Sequence, residues 1–116
     1  MIYRIIPEKA FLREMKRLLK KYKSLKLDLE KLAEELHAHP EAGVSLGGGV
    51  RKVRMAIASK NKGKSHGARV ITFTYSIDEE TGTIVLLYIF DKEERENISA
   101  AEITHLLEQV KKENGL

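Results

Sequence analysis

Between Glu41 and Asp78 the chain carries seven cations and no acid: Arg51, Lys52, Arg54, Lys60, Lys62, Lys64 and Arg69. Guanidinium and ammonium groups at this density suit the binding and polarisation of a polyanion, of which nucleic acid is the commonest. A second basic stretch, Arg4 to Lys26, sets nine cations against two acids, with Arg13, Lys16, Arg17 and Lys20 at its centre. The segment from Asp78 to Glu102 is mostly acidic, so the modest net charge of +4 conceals strong segregation. Crowding Lys60, Lys62 and Lys64 with Arg54 and Arg69 disfavours each ammonium, and the pKa of Lys62 or Lys64 is expected to fall toward the range of a general base. Arg54 and Arg69 are the residues suited to hold a phosphate in bidentate fashion.

Other chemistries find less support. The absence of cysteine excludes thiolate nucleophiles, zinc ribbons and disulfide frameworks. His37 and His39 are two apart, His66 and His105 are isolated, and no carboxylate completes a metal spacing, so neither a metal nor a cofactor is expected. His66 alone stands out, because it lies inside the basic loop. Ala58 to Ser65 comes within one residue of a P-loop pattern. The β-branched residues Val70, Ile71, Thr72 and Thr74 then demand a strand where a P-loop needs a helix. No nucleophile elbow marks a serine triad.

These cations must be positioned by one domain, residues 1–116, since 13.2 kDa supports a single modest core. Tyr3 to Ile6 reads as a strand, with Pro7 in the first turn of a following helix. Phe11, Leu12, Met15, Leu18, Leu19 and Tyr22 recur at helical spacing, as do Leu25, Leu29, Leu32 and Leu36 after Ser24, a predicted N-cap. The two helices form a predicted hairpin that ends near His39-Pro40. Gly47 to Gly49 marks a turn. Beyond it Val53, Met55 and Ile57 alternate with Lys52, Arg54 and Ala56, which puts Lys52 and Arg54 on the face opposite the core. Ser59 to Gly67 is a polar loop, Ala68 to Ser76 a strand led by Arg69, and Asp78 to Gly82 a hairpin turn. Thr83 to Phe90 is apolar on both faces and reads as a central strand, its period placing Tyr88, Phe90 and Lys92 on one side together with Leu86. Ser99 and Glu102 form a capping-box pattern, Ile103, Leu106, Leu107 and Val110 the apolar stripe, and Gly115 the stop of a last helix. The fold class is α+β, a small antiparallel-dominated sheet with an N-terminal helix hairpin and a C-terminal helix, in the order β-α-α-β-β-β-α. No apolar run is long enough to span a bilayer and the N-terminus lacks a signal layout, so a cytoplasmic protein without a membrane partner is expected.

Three segments in succession, Gly49-Val50-Arg51-Lys52-Val53-Arg54, Ser59 to Ile71 and Leu86 to Lys92, resemble the motifs of one toxin family. The chain resembles the RelE/ParE superfamily, toxins of bacterial type II toxin–antitoxin pairs, nearest its HigB-like RelE branch, over Tyr3 to Val110. The resemblance implies a RelE-like fold and a ribosome-dependent endoribonuclease that enters the A site and cuts the message. It also implies a cognate antitoxin, of helix-turn-helix type. The catalytic set it implies is Arg54, Lys62, Lys64, Arg69, Tyr88 and Lys92. Arg51, Lys52, Lys60, His66, Phe90 and the first-helix residues Arg13, Lys16, Arg17 and Lys20 are expected to hold messenger and ribosomal RNA. Phe90 stands where many relatives have a tyrosine; it can stack but cannot donate a proton, and Tyr88 lies two residues earlier. The ParE branch implies a different activity, non-nucleolytic inhibition of DNA gyrase, and a plain RNA-binding module is the third alternative.

Overall fold

The computed structural model describes residues 1–116. Strand β1 (Ile2–Pro7) leads into helices α1 (Lys9–Lys21) and α2 (Leu25–Ala38), joined by three residues. The hairpin β2 (Val44–Gly47) and β3 (Val50–Met55) follows, then β4 (Ala68–Ser76), β5 (Thr81–Asp91) and α3 (Ala100–Glu113). Two short 3-10 turns, Ala58–Lys60 and Lys64–His66, shape the loop between β3 and β4. The five strands form one sheet in the order β1-β5-β4-β3-β2, antiparallel throughout except for the parallel pair β1–β5. No helix is long and apolar enough to cross a membrane.

Each sheet face is buried under helices, which is why β4 and β5 are apolar on both sides. Phe11 and Leu18 of α1 and Leu25, Leu32 and Leu36 of α2 pack on Val53, Met55, Val70, Ile84 and Ile89. On the opposite face Val110 of α3 and Ile98 before it close over Val50, Ile71, Phe73, Val85, Leu87 and Phe90. The capping box forms as expected: Ser99 Oγ accepts the Glu102 amide at 3.1 Å while the Glu102 carboxylate accepts the Ser99 amide at 3.3 Å. On the α3 face Arg54 is exposed and Lys52 and Tyr88 are partly exposed, so that end of the β3–β4–β5 surface is open.

The structure departs from the sequence expectation at four places. Strand β2 is additional; its four residues are all exposed and pair only with β3, so no buried alternation announces it. Pro7 ends β1, and the helix begins at Lys9 after Glu8. Ser24 does not cap α2 through its side chain: it is itself in a helical conformation, donates to Asp28 Oδ2 at 2.8 Å and accepts the Ser59 amide at 2.9 Å. A register shift pairs Ile71 with Tyr88 but Thr72 with Leu86, leaving Leu87 as an extra residue in β5. That bulge sends Leu86 to the α1–α2 side and Leu87 and Tyr88 to the α3 side, so Leu86 and Tyr88 do not share a face.

Candidate functional site

The open end of the α3 face is built from two rows that cross three strands. Arg54 of β3, Arg69 of β4 and Phe90 of β5 are mutual register partners; the next row holds Lys52, Ile71 and Tyr88. Neighbouring strands stand about 4.8 Å apart, so each three-strand row spans about 10 Å of the sheet. Arg54 is exposed and makes no hydrogen bond or ion pair within the protein. Arg69 beside it is only 8 % exposed. Its guanidinium donates to the carbonyls of Lys64 (3.0 Å), Ala68 (3.1 Å) and Ser65 (3.4 Å). Burial lowers its pKa, and the facing charge of Arg54 adds to the effect. Arg69 thus both supports the lysine loop from beneath and supplies positive potential under Arg54.

Lys52 reaches across to Asn97, donating to Oδ1 at 3.3 Å. Tyr88 is half-buried, tilted against Phe90 at 6.4 Å between centroids. Arg95, in the segment between β5 and α3, lies over the Tyr88 ring at 5.8 Å, with Nη1 3.5 Å from the phenolic oxygen. Its Nη2 bonds Glu102, the capping-box carboxylate, and its Nε donates to the Asn97 carbonyl at 2.8 Å. Bonding to Glu102 raises the pKa of Arg95 and lowers that of the carboxyl. Sequence reasoning missed Arg95 and Asn97 because they fall in a stretch dominated by acids. The available signal was local: Arg95 is one of only two cations between Asp78 and Glu102, and it precedes the capping box by four residues.

The expected cation cluster is therefore divided. Arg51 points to the other face and donates to the Glu41 carbonyl at 3.3 Å, as strand alternation from Lys52 requires. Phe90, expected to stack on a base, is 2 % exposed and belongs to the core under α3. Lys92 lies past the end of β5 and donates to the Glu96 carbonyl at 2.6 Å, so it does not extend the Tyr88 row. Lys62 and Lys64 are exposed, but each leans on an acid, Glu93 at 3.6 Å and Glu35 at 3.7 Å. The acid-free sequence is thus not acid-free in space, which removes the crowding on which a depressed lysine pKa was to rest. His66 is exposed on the same loop. On α1, Arg13, Lys16 and Lys20 are exposed and have no ionic partner, whereas Arg17 bonds Glu94 at 2.7 Å and Glu14 at 3.2 Å, which raises its pKa.

Lys60 departs furthest from expectation. Its side chain is 6 % exposed and its three N–H groups all have acceptors: Asp91 Oδ1 at 2.5 Å, the His66 carbonyl at 2.9 Å and Glu93 Oε1 at 3.2 Å. Burial lowers its pKa, but Asp91 and Glu93 more than reverse this and the net shift is upward. With no free donor, Lys60 is not available to RNA. Asp91, fully buried, also accepts from Tyr22 Oη and from the Glu93 amide. Burial raises its pKa, and the bonds from Lys60 and Tyr22 override that and hold it below the ordinary carboxylate value. No group of His, Cys, Asp and Glu stands close enough to hold a metal ion.

The open surface thus offers two guanidiniums of unlike burial, an ammonium and a phenol, a set fitted to phosphate. No curated protein sequence matches the chain significantly. Residues 3–115 match the family described as the RelE toxin of the RelE / RelB toxin–antitoxin system. With nearly its whole length covered by that match, an α+β fold of the RelE type and a cationic sheet end, the chain belongs to the RelE toxin family, the toxin half of a toxin–antitoxin pair.

Proposed function

We propose that the protein is a ribosome-dependent endoribonuclease that cuts translated messenger RNA in the A site. The observation that carries the reading is Arg54: an exposed, unpaired guanidinium in register with a buried arginine, one row along the sheet from Lys52 and Tyr88. In the reaction the ribose 2′-oxygen attacks the neighbouring phosphorus, the bond to the 5′-oxygen breaks, and the products are a 2′,3′-cyclic phosphate and a 5′-hydroxyl. Arg54 binds the non-bridging oxygens, with Arg69 reinforcing the potential, as charge grows there in the transition state. Lys52 holds the adjacent phosphate. The Tyr88 phenol, polarised by Arg95, is the group that exchanges a proton with the reacting oxygens. Lys62, Lys64 and His66 grip the flanking message, and Arg13, Lys16 and Lys20 of α1 grip ribosomal RNA, which places the protein in the cytoplasm with translating ribosomes. The cognate antitoxin, of helix-turn-helix type, covers the cationic sheet end.

The test is purified protein added to a translating extract, with new 5′ ends mapped on the message. Codon-phased cuts with wild type and a loss on the order of 100-fold or more for Arg54→Ala are expected, the usual cost of one transition-state donor. An intact message accompanied by gyrase cleavage complexes would replace this reading with the gyrase-directed one.

A further inference from the structure

Asp91 closes β5 at the one point where α1, the lysine loop and the segment leading to α3 converge. Its Oδ2 accepts from Tyr22, the residue that ends α1; its Oδ1 accepts from Lys60 of the loop and from the Glu93 amide. Its backbone carbonyl accepts the amides of Glu94 and Arg95, each at 3.0 Å. Lys60 lies over the Tyr22 ring at 5.2 Å and, through the His66 carbonyl, spans the loop to its far end. One buried carboxylate therefore joins two segments that are distant in sequence: the loop that presents Lys62, Lys64 and His66, and the segment that presents Arg95 to Tyr88.

We infer that Lys60, Asp91 and Tyr22 are positioning residues that hold the lysine loop and the Arg95 segment in fixed relation, so that the two halves of the cationic surface act on one RNA strand. The inference rests on the endoribonuclease reading above and adds to it the residues that make the surface a single site. Bulk stability is a poor reason for such a pair, because well-packed apolar residues commonly do as well as a buried ion pair. What an apolar trio lacks is direction. Three donors aimed at one carboxylate fix the loop's approach and rotation, and Arg69 bonded to the Lys64 and Ser65 carbonyls fixes its return. The base of the loop is held independently, the Asp28 carboxylate accepting the Ala58 amide at 3.2 Å and Ser24 Oγ accepting that of Ser59. Removing Lys60 thus frees the tip of the loop, not the whole connection.

The experiment compares Lys60→Met, Lys60→Arg and Tyr22→Phe with wild type in the full chain. Cleavage in a translating extract is resolved into kcat and KM for the ribosome, and amide exchange is followed at residues 61–67 and 93–97. Misplacing a catalytic group by about 1 Å costs on the order of 100-fold, so Lys60→Met is expected to lose that much in kcat with KM changed by less than about threefold. Lys60→Arg is expected to recover at least a tenth of wild-type kcat. Exchange should rise in both segments, including the one Lys60 does not belong to. Tyr22→Phe, which keeps the ring and loses one bond, should fold normally and show the same pattern more weakly, and it decides the matter if Lys60→Met does not fold. A loss confined to KM, which would make Lys60 an RNA ligand, overturns the inference, as does increased exchange limited to residues 61–67. If wild type itself leaves the message intact, the endoribonuclease reading fails, and the exchange at 93–97 still decides whether the two segments are coupled.

Discussion

Lys60 and Lys62 stand two residues apart, are chemically identical, and have opposite fates: one is buried with every donor occupied, the other exposed beside Glu93. The difference lies in Asp91, 31 residues away, which no local pattern in the sequence could assign to either. Because the folded pKa of Asp91 lies below its ordinary 3.8, the stability it contributes is present above that value and is lost as pH falls through the lower folded one. Lys60 acts in the opposite sense: its pKa is raised above 10.5, so its contribution is present below that value and is lost as pH rises through the folded one. Asp91→Asn should therefore flatten the acid limb of stability below about pH 4. At neutral pH it should cost about 3–5 kcal/mol, the usual effect of stranding one member of a buried pair; urea titrations from pH 2 to 7 measure both. The two register-paired arginines should likewise separate. Arg54→Ala should leave the unfolding midpoint unchanged. Arg69→Ala strands the Lys64 and Ser65 carbonyls and should lower stability by about 1–3 kcal/mol in the same titration.

At the scale of elements, the legible parts were those with a period and a boundary. Both faces of β4 and β5, the two N-terminal helices and the capped α3 announce themselves by apolar spacing and by Ser99 and Glu102, and the face carrying Lys52 and Arg54 follows from β3 alternation. What escaped had no period to carry it: β2 is short and solvated on both sides, and the β5 bulge breaks the two-residue rule between Leu86 and Tyr88. The site inherits these limits. Arg54, Arg69 and Tyr88 come to one face because strands place them, a pattern the sequence carries, whereas Arg95 joins them from a connecting segment that has no period. Two substitutions test how elements hold the site. Ser99→Ala removes the α3 cap and one of the bonds that orient Glu102 toward Arg95, so a loss of about 1 kcal/mol should be accompanied by a weaker Tyr88–Arg95 contact, seen as shifted ring resonances of Tyr88 in NMR spectra. At Gly67 a Cβ would lie 2.0 Å from the Met55 carbonyl oxygen, where β3 and β4 begin to pair. Gly67→Ala should therefore pry apart the row end that holds Arg54 and Arg69, at a cost of about 1–3 kcal/mol in chemical denaturation.

For the molecule as a whole, net charge says little and its pairing says more. Only Arg17, Lys21, Lys60, Lys62, Lys64 and Arg95, of 21 lysines and arginines, lie within 4 Å of a carboxylate. Acids from β5 and its following segment are spent on the loop and on the C-terminal turn of α1, through Asp91, Glu93 and Glu94. Among the unpaired cations, Lys52, Arg54 and Arg69 lie on the open sheet end, and along α1 Lys9, Arg13, Lys16 and Lys20 follow at spacings of three or four and share one side of the helix. A stripe of that kind is matched to a run of phosphates and contributes binding without chemistry. Replacing Arg13, Lys16 and Lys20 together by glutamine should then leave kcat on saturating ribosomes near the wild-type value while weakening ribosome binding. Each phosphate left without its cation should lower the slope of log affinity against log salt by about 0.7 to 0.9, so the slope of the triple variant should be shallower by roughly 2 to 3. An unchanged slope would mean that α1 faces solvent in the complex, and the sheet end would then have to supply the whole electrostatic attraction by itself.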